Sequence, residues 1–366
     1  MKSVWWRQLK AVMRLEVKKT FFAKRGVWIY LVAALPIFLF MAYAAAVSRE
    51  QNRIAEMSRK GEKTITYQDL LAVKRGMTTD EVVAIVGKPN LHFLWTEHRP
   101  TGPHTIEDIL HEKHTYSDGQ HTLNVEFVNG KAENLEMDMG ANLVRDSVTF
   151  AGIFQFFFLR LAIFFGCLGI FMNLFRGEIL DRSLHFYFLA PIRREVLMVG
   201  KFLAGLIATC SIFVTSEILQ TTAFLWAYRP SARDLYLYQN HGLEHAAAYV
   251  GITVLACIGY GAFFLVAGMF FRNPIVPTAV ILIWEGINPF LPTVLKQFSV
   301  IYYLKSLCPV DVPVPPGMHP LLALLIANPE PISAPVAVFG LLTVALMALY
   351  VSSLQVRRME INYTTE

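Results

Sequence analysis

Long apolar stretches separated by polar segments dominate the chain, and six of them stand out. Most are longer than the roughly 20 residues that a helix needs to cross a hydrocarbon core of about 30 Å. We therefore predict an α-helical polytopic membrane protein with about six transmembrane helices. The six stretches cover residues 27–47, 150–175, 197–228, 246–271, 275–289 and 334–356.

The fifth apolar stretch is the shortest, and Gly286, Pro289 and Pro292 interrupt it. Glycine and proline weaken or end helices, so this pattern predicts a span that breaks near one membrane surface. We expect the chain to continue there as a short re-entrant or interfacial segment over residues 293–307. Charged residues make up 17% of the 366 residues, against about 25% in soluble domains, which agrees with a membrane protein.

Lysine and arginine are distributed unevenly between the loops on the two sides of the predicted spans. Fifteen lie on the side that holds both termini, and eight of these are within residues 1–25, whereas the short loops on the other side hold four. The positive-inside rule then places both termini in the cytoplasm and residues 48–148 outside it.

The segment before the first span predicts an amphipathic helix on the inner leaflet, because its apolar residues share one helical face and its basic residues lie mostly on the others. The sequence MAYAAAVS at the end of the first span resembles a signal-peptide cleavage site. However, the preceding basic region is unusually long and the apolar run is long enough to span, which favours a retained helix. The apolar face consists of Trp5, Leu9, Val12, Met13, Val17 and Phe21.

Residues 48–148 have the composition of a soluble domain. Thr78 with Glu81 predicts a capping box at the start of a helix, and Gly87 followed by Pro89 predicts its end. Three strands are expected in HEKHTYS, HTLNVEFV and KAENLEMD, with a helix over residues 67–75 among those that cover one face.

Asp118-Gly119 and Asn129-Gly130 are two-residue hairpin signals between these strands. We therefore predict a small α+β domain, with a helix pair on a three-stranded antiparallel sheet. The pattern GMTTDEVVAIVGKP with the later VEFVNGK resembles the BamE-like (SmpA/OmlA) domain of small envelope lipoproteins, although the lipobox cysteine of that family is missing. The resemblance implies a protein-binding or assembly role rather than catalysis, and strand edges could accept an extended partner.

Two histidine patterns invite a metal interpretation. Residues 92–114 are rich in histidine, but the spacing is irregular apart from His111-x-x-His114, so solvated loop histidines are expected. HGLEH at residues 241–245 matches the H-x-x-E-H pattern of zinc peptidases, yet Gly242 weakens the helix that such a site needs. We therefore expect no metal ligand and no catalytic residue, with an intramembrane or surface peptidase as the enzyme-class alternative.

The loop between the second and third spans contains an amphipathic segment of about three helical turns, ILDRSLHFYFL. Its apolar residues, among them Leu184 and Phe186, need a surface to pack on. In the cytoplasm that surface is a partner protein or the inner leaflet.

The pattern of this loop resembles that of type-2 ABC exporter permeases (the ABC-2, or type V, transmembrane subunits). In that family the segment, here about residues 177–192, is a coupling helix that docks on a nucleotide-binding subunit. The N-terminal amphipathic helix, the six spans and the broken fifth span agree with the resemblance, whereas the large inserted domain departs from it. The positions that match the family are Gly177, Glu178, Asp181, Leu184, Pro191, Arg194, Gly200 and Lys201.

The chain has no G-x-x-x-x-G-K-[ST] loop to cradle phosphates. The resemblance therefore implies that ATP and Mg²⁺ bind a separate ATPase subunit, that this chain holds no cofactor, and that a second permease protomer completes the transporter.

Arg160, Glu217 and Glu285 are ionisable residues inside predicted spans two, three and five. Such groups are costly in hydrocarbon unless they are paired or face water. We expect Arg160 to pair with one of the glutamates, with a substrate- or proton-contacting role as the alternative.

The sequence thus predicts three parts: residues 1–47 with the amphipathic helix and first span, residues 48–148 with the BamE-like domain, and residues 149–366 with five further spans. The expected function is that of the permease subunit of an ATP-driven exporter in the bacterial cytoplasmic membrane. The alternative is a non-transporting ABC-type envelope assembly or mechanotransmission factor that acts through its extracytoplasmic domain. Membrane lipids and an extracytoplasmic protein are further expected partners, and nucleic acid is not.

Overall fold

The chain divides into two units in the computed structural model. The helical unit comprises Met1–Met41, Val144–Leu225 and Ser231–Glu366, and the sheet unit comprises Ala42–Leu143 and Trp226–Pro230. The structure describes residues 2–21, 26–60, 65–102, 105–119, 121–138, 142–180, 189, 192–271, 273–314, 317, 319 and 332–358.

In the part of the chain that the structure describes, five helices are long and apolar enough to cross a membrane, which fits a multi-pass membrane protein. The fifth apolar stretch forms a shorter helix, so the expected six spans are corrected to five long helices and one short one among the described residues. The reason is the early break at Asn288, where α-helix gives way to a 3₁₀ turn containing Pro289. The five long helices are Val27–Glu56, Leu143–Glu178, Arg194–Trp226, Gly242–Phe270 and Ala334–Arg358.

The first two helices precede the sheet. Helix α1 spans Lys2–Phe21 and α2 spans Val27–Lys60. Helix α2 contains Pro36 and continues well past the predicted end of the first span at residue 47. No glycine or proline follows Pro36 before Lys60, so no residue in this part of the sequence ends the helix.

The second long helix changes geometry along its length. It begins as α5 (Leu143–Ile153), widens into a π-helical stretch (Phe154–Ile163), and continues as α6 (Phe164–Phe171) and α7 (Asn173–Leu180). π-Helical turns are rare and occur often at functional sites. Arg160 lies inside this π-helical stretch.

The rest of the helical unit follows the second long helix. Helix α8 is Arg194–Trp226, α9 is Pro230–Gln239 and α10 is Gly242–Phe270. The broken fifth stretch comprises α11 (Ile275–Ile287), the 3₁₀ turn Asn288–Phe290, α12 (Thr293–Lys296) and α13 (Val300–Ser306). The predicted interruption of this stretch is confirmed. The last helix, α14, is Ala334–Arg358.

Among its described residues, the sheet unit contains two short helices and four antiparallel strands in the order β1-β2-β3-β4. The expectation of three strands is wrong, because β1 adds a long hairpin partner to β2. The sequence does not predict β1 as a strand, because Pro100 and the histidines in it are typical of a loop. The bounds are α3 (Tyr67–Ala72), α4 (Thr79–Val86), β1 (Leu91–Gly102), β2 (Thr105–Ser117), β3 (Thr122–Val128) and β4 (Lys131–Asp138).

Local signals in the sheet unit are largely confirmed. Thr78 accepts a hydrogen bond from the Glu81 amide, and Glu81 in turn accepts one from the Thr78 amide, so the capping box is present. Asn129 and Gly130 both have positive φ, as a tight hairpin turn requires. The connection at Asp118 is longer than predicted, because Ser117 pairs with Thr122 and leaves four residues in the loop.

One face of the sheet carries the core of this unit. Leu123, Val125 and Phe127 alternate along β3 and are buried. They pack in one cluster with Val82 and Val86 of α4. The predicted alternation of β3 is therefore confirmed, and its apolar face is the one that the helices cover.

Candidate functional site

The residues expected to couple to an ATPase lie around the connection between α7 and α8. Gly177 and Glu178 lie in α7, and Arg194 begins α8. Four other predicted positions fall outside the described residues: Asp181, Leu184, Phe186 and Pro191. The contacts described below therefore belong to the end of α7 and the start of α8.

A fully buried lysine joins these two ends. Lys201 of α8 places its Nζ 2.7 Å from Oε1 of Glu16 and 2.8 Å from Oε1 of Glu178. Its ammonium also donates a hydrogen bond to the carbonyl oxygen of Leu174, at 3.0 Å. Three acceptors match the three protons of an ammonium group. Lys201 thus holds α1, α7 and α8 together.

Lys19 completes the cluster from α1. Its Nζ lies 3.0 Å from Oε1 of Glu178 and 4.0 Å from Oε1 of Glu16. Two carboxylates therefore face two ammonium groups, and the cluster is neutral as a whole. Half of the Lys19 side chain is exposed, whereas Lys201 is fully enclosed. We call Glu16, Lys19, Glu178 and Lys201 the ionic cluster.

Because the ionic cluster is largely buried, each of its charged side chains depends on the presence of the others. Moving a charge out of water costs several kcal/mol, and the mutual attraction offsets this only when every partner is in place. Oε2 of Glu178 is buried and has no hydrogen-bond partner among the described residues. Glu178 therefore retains an unused acceptor at the end of α7, where the loop to α8 begins.

Gly200 allows α1 to approach α8 closely. A Cβ atom at Gly200 would lie 2.8 Å from Cγ1 of Val12, closer than real Cβ atoms come to other heavy atoms. Val12 is one helical turn before Glu16, on the same face of α1. The absence of a side chain at Gly200 therefore lets Glu16 reach Lys201. A Cβ at Gly177 would meet nothing within 4 Å.

The start of α8 and Arg193, the residue before it, contact both terminal helices. Arg194 donates hydrogen bonds to the carbonyl oxygens of Val356 and Arg357 at the end of α14. Arg357 forms an ion pair with Glu195 at 2.7 Å. Arg193 lies over the Trp5 ring of α1, with its guanidinium carbon 4.8 Å from the ring centroid. Helix α1 and the end of α14 thus lie at the same end of the helical unit.

The intramembrane charges are arranged differently from the expected pair. Glu217 is fully buried and accepts hydrogen bonds from Gln220 and Thr221 of its own helix. Among the described residues, no ion pair joins Arg160 to Glu217. The guanidinium of Arg160 lies 5.5 Å from the centroid of the Phe156 ring. A carboxylate satisfied within its own helix does not require a distant cation.

Glu285 meets its hydrogen-bonding needs at the break in the fifth stretch. Its carboxylate accepts from Ser299 Oγ at 2.8 Å and from the amides of Val300 and Ile301 at 3.0 and 2.9 Å. It therefore caps the start of α13, whose first amides have no partner within the helix. Arg160 lies near enough to interact electrostatically with Glu285, and no hydrogen bond or ion pair links them in the described residues.

The HGLEH segment does not assemble a zinc site among the described residues. His241 has positive φ and lies just before α10, where its Nδ1 is 3.0 Å from Glu244. His245 lies inside α10 and its Nδ1 is 3.4 Å from the hydroxyl of Tyr236. A helical H-x-x-E-H site would need both histidines on one helix.

Sequence reasoning identified Glu178, Gly200 and Lys201 but missed Glu16 and Lys19. A signal was present, because Glu16 is the one acidic residue among residues 1–25. It also lies on the predicted apolar face, four residues after Val12. A lone acid on the apolar face of a basic helix indicates a buried cationic partner.

Comparison of the chain with protein-family models, with curated proteins and with solved structures gave no match.

The close approach at Gly200 predicts that alanine at Gly200 and alanine at Gly177 have opposite effects on the stability of the protein. Gly200→Ala forces Val12 away, and such overpacking costs about 1–3 kcal/mol. Gly177→Ala, the matched control, has open space and should be neutral or stabilise the helix by up to about 1 kcal/mol. The apparent Tm in detergent checks both, and equal values for the two variants would contradict the contact.

The ionic cluster predicts a non-additive pair of substitutions. Lys201→Met leaves two buried carboxylates and should destabilise the protein by about 3–5 kcal/mol. Adding Glu16→Gln should recover part of that loss, since one carboxylate is then neutral. Lys18→Met, at an exposed position of α1, serves as the control. Additive losses in thermal unfolding of the double variant would refute the coupling.

Proposed function

We propose that this chain is the permease subunit of an ATP-driven exporter of the ABC-2 type. The observation that carries the proposal is the ionic cluster. It ties Glu178, at the start of the predicted coupling segment (residues 177–192), and Lys201, in the helix that follows the segment, to the amphipathic helix α1. Loops that serve only to connect two spans have no need of a buried charge cluster at their base.

The cluster supports a simple transmission path. Helix α7 ends two residues after Glu178, and α8 begins seven residues before Lys201. A partner ATPase that pushes on the loop between them therefore acts on two helices bound to the same lysine. Through Glu16 the motion also reaches α1. Rigid-body movement of packed helices is a common means of switching a membrane subunit between states.

The cation distribution supports an orientation with this end in the cytoplasm. The start of α8 and the residue before it contact α1, which carries six lysines and arginines, and the end of α14, which carries two. By the positive-inside rule this end faces the cytoplasm. Residues 48–148 are then extracytoplasmic in a protein of the bacterial cytoplasmic membrane, as the resemblance to envelope domains implies.

ATP and Mg²⁺ belong to the partner subunit in this proposal, because the chain has no phosphate-binding loop. The chain is then a transport subunit and not itself an enzyme. Two ATPase subunits face each other in this family, so a second permease protomer, identical or homologous, completes the transporter.

A second candidate is an envelope assembly or mechanotransmission factor, and two observations favour it. Helix α2 has 34 residues, about 51 Å at 1.5 Å per residue, which exceeds a hydrocarbon core of about 30 Å. Strand β1 is a sheet edge, and Phe93 and Trp95 on it are 61% and 41% exposed. An extended protein segment could add to such an edge.

The orientation predicts which engineered cysteines react in intact cells. Glu133→Cys, at an exposed site on β4, should be labelled by a membrane-impermeant thiol reagent. Arg358→Cys, exposed at the end of α14, should react only after the cells are opened. The chain without an added cysteine gives the background, because its four native cysteines are buried or half-buried. The reverse pattern would overturn the orientation.

The coupling role predicts loss of a partner from the complex. Removing a packed aromatic or reversing a charge in a docking helix costs about 2 kcal/mol or more of binding. Phe186→Ala and Asp181→Arg should therefore leave the protein inserted but release a P-loop ATPase on purification. Phe339→Ala, at an exposed position of α14, should keep it.

The wild-type chain decides between the two candidates in the same experiment. If it retains no ATPase under gentle extraction, the exporter proposal fails and the envelope factor takes its place. If Phe339→Ala releases the ATPase as readily as Phe186→Ala, the coupling segment is not the docking site.

A further inference from the structure

Three side chains of the sheet unit converge where β1 meets β2. Nε2 of His92 lies 2.6 Å from Oε1 of Glu112, and Nε2 of His114 lies 2.7 Å from the same oxygen. One ligand atom from each residue lies within 4.8 Å of the other two. These are two imidazoles and a carboxylate, the donor set of many zinc and non-haem iron sites.

The strand register creates this convergence. His92 of β1 is directly opposite His114 of β2. Glu112 precedes His114 by two residues, and side chains two apart in a strand point to the same face. All three therefore project from one face of the hairpin. Because strands rather than loops carry them, the site rests on a regular hydrogen-bonded ladder.

His114 is fixed in place by its neighbours. Its side chain is 4% exposed, and its ring packs against Phe127 with the centroids 4.9 Å apart. Its Nδ1 lies 3.0 Å from the hydroxyl of Tyr116, which is itself fully buried. Metal-binding histidines commonly use one ring nitrogen for a neighbour in this way and present the other to the metal. Here Nε2 is the nitrogen that faces Glu112.

The site is also accessible. His92 is 42% exposed and Glu112 is 21% exposed, so a hydrated ion can reach both from solvent. Ligand atoms around a tetrahedral ion with bonds of about 2.1 Å lie roughly 3.4 Å apart. The present nitrogen–oxygen distances are those of hydrogen bonds, so each must lengthen by less than about 1 Å. Rotation of the exposed His92 and Glu112 side chains can supply that change.

We propose that His92, Glu112 and His114 bind a divalent transition-metal ion of the Zn²⁺ class. Imidazole ligands favour such ions over Ca²⁺ and Mg²⁺, which prefer oxygen. Three protein ligands leave a fourth position for water or for a ligand from a partner. The ion would join β1, the edge strand, to the core-facing part of β2.

The opposite face of the hairpin shows that not every histidine here belongs to the site. His111 stacks on Trp95 with the ring planes 9° apart, and its Nε2 lies 3.1 Å from Glu97. His121 is bound to Asp118 within the β2–β3 loop. Neither joins the three converging ligands, so His121 offers a matched control for the loss of an imidazole.

Titration of the full chain with Zn²⁺ tests the proposal. The purified protein should carry no polyhistidine tag and should be stripped of metal before calorimetry in detergent. We expect binding that saturates at one equivalent. His92→Asn and Glu112→Gln should each weaken it by at least about tenfold. His121→Asn should leave the affinity unchanged.

Two further measurements separate loss of metal binding from loss of folding. Circular dichroism of each variant must show retained sheet, and His92 and Glu112 are partly exposed, so their loss should not unfold the unit. Co²⁺ in place of Zn²⁺ should give visible absorption that both variants lose. Undiminished Zn²⁺ affinity in His92→Asn and Glu112→Gln, or no binding by the wild-type chain, would overturn the proposal without bearing on the transporter function.

Discussion

The ammonium group of Lys201 has no contact with solvent, and this burial constrains one end of the helical unit. Burying an ammonium group without partners would cost more free energy than the stability of a typical folded protein, so Glu16 and Glu178 must both be present. Glu16 reaches the lysine because α1 lies against α8, and α1 can lie there because residue 200 is a glycine. The position of the amphipathic helix, the end of α7 and the start of α8 are thus consequences of one buried charge.

This dependence explains what the sequence could and could not predict at the candidate site. Gly200 and Lys201 were identified through a family pattern, and Glu178 in the same way. Glu16 was not, because 185 positions separate it from its partner, and no periodicity within one helix reports a contact at that distance. The apolar spans, by contrast, follow from composition over about 20 residues and are read directly.

In the sheet unit, too, contacts between residues close in sequence were predicted, whereas contacts between distant residues were not. Thr78 with Glu81 predicts a helix start, and Asn129 with Gly130 predicts a turn, because the interacting groups are neighbours in sequence. Strand β1 was missed, since nothing within it alternates cleanly between polar and apolar residues. The convergence of His92 with His114 depends on the pairing of β1 with β2, so the spacing of histidines in the sequence, which highlights His111-x-x-His114, does not reveal it.

The polar groups inside the spans differ from the ionic cluster in the distance over which they act. Glu217 is satisfied by Gln220 and Thr221 of its own helix, and Glu285 caps α13 about fifteen residues ahead. Such local satisfaction stabilises each segment without tying it to distant ones. The ionic cluster instead connects residues 16, 178 and 201, on three helices. A force on the loop beside it would therefore pass to three helices at once, whereas the intramembrane carboxylates would move with their own segments.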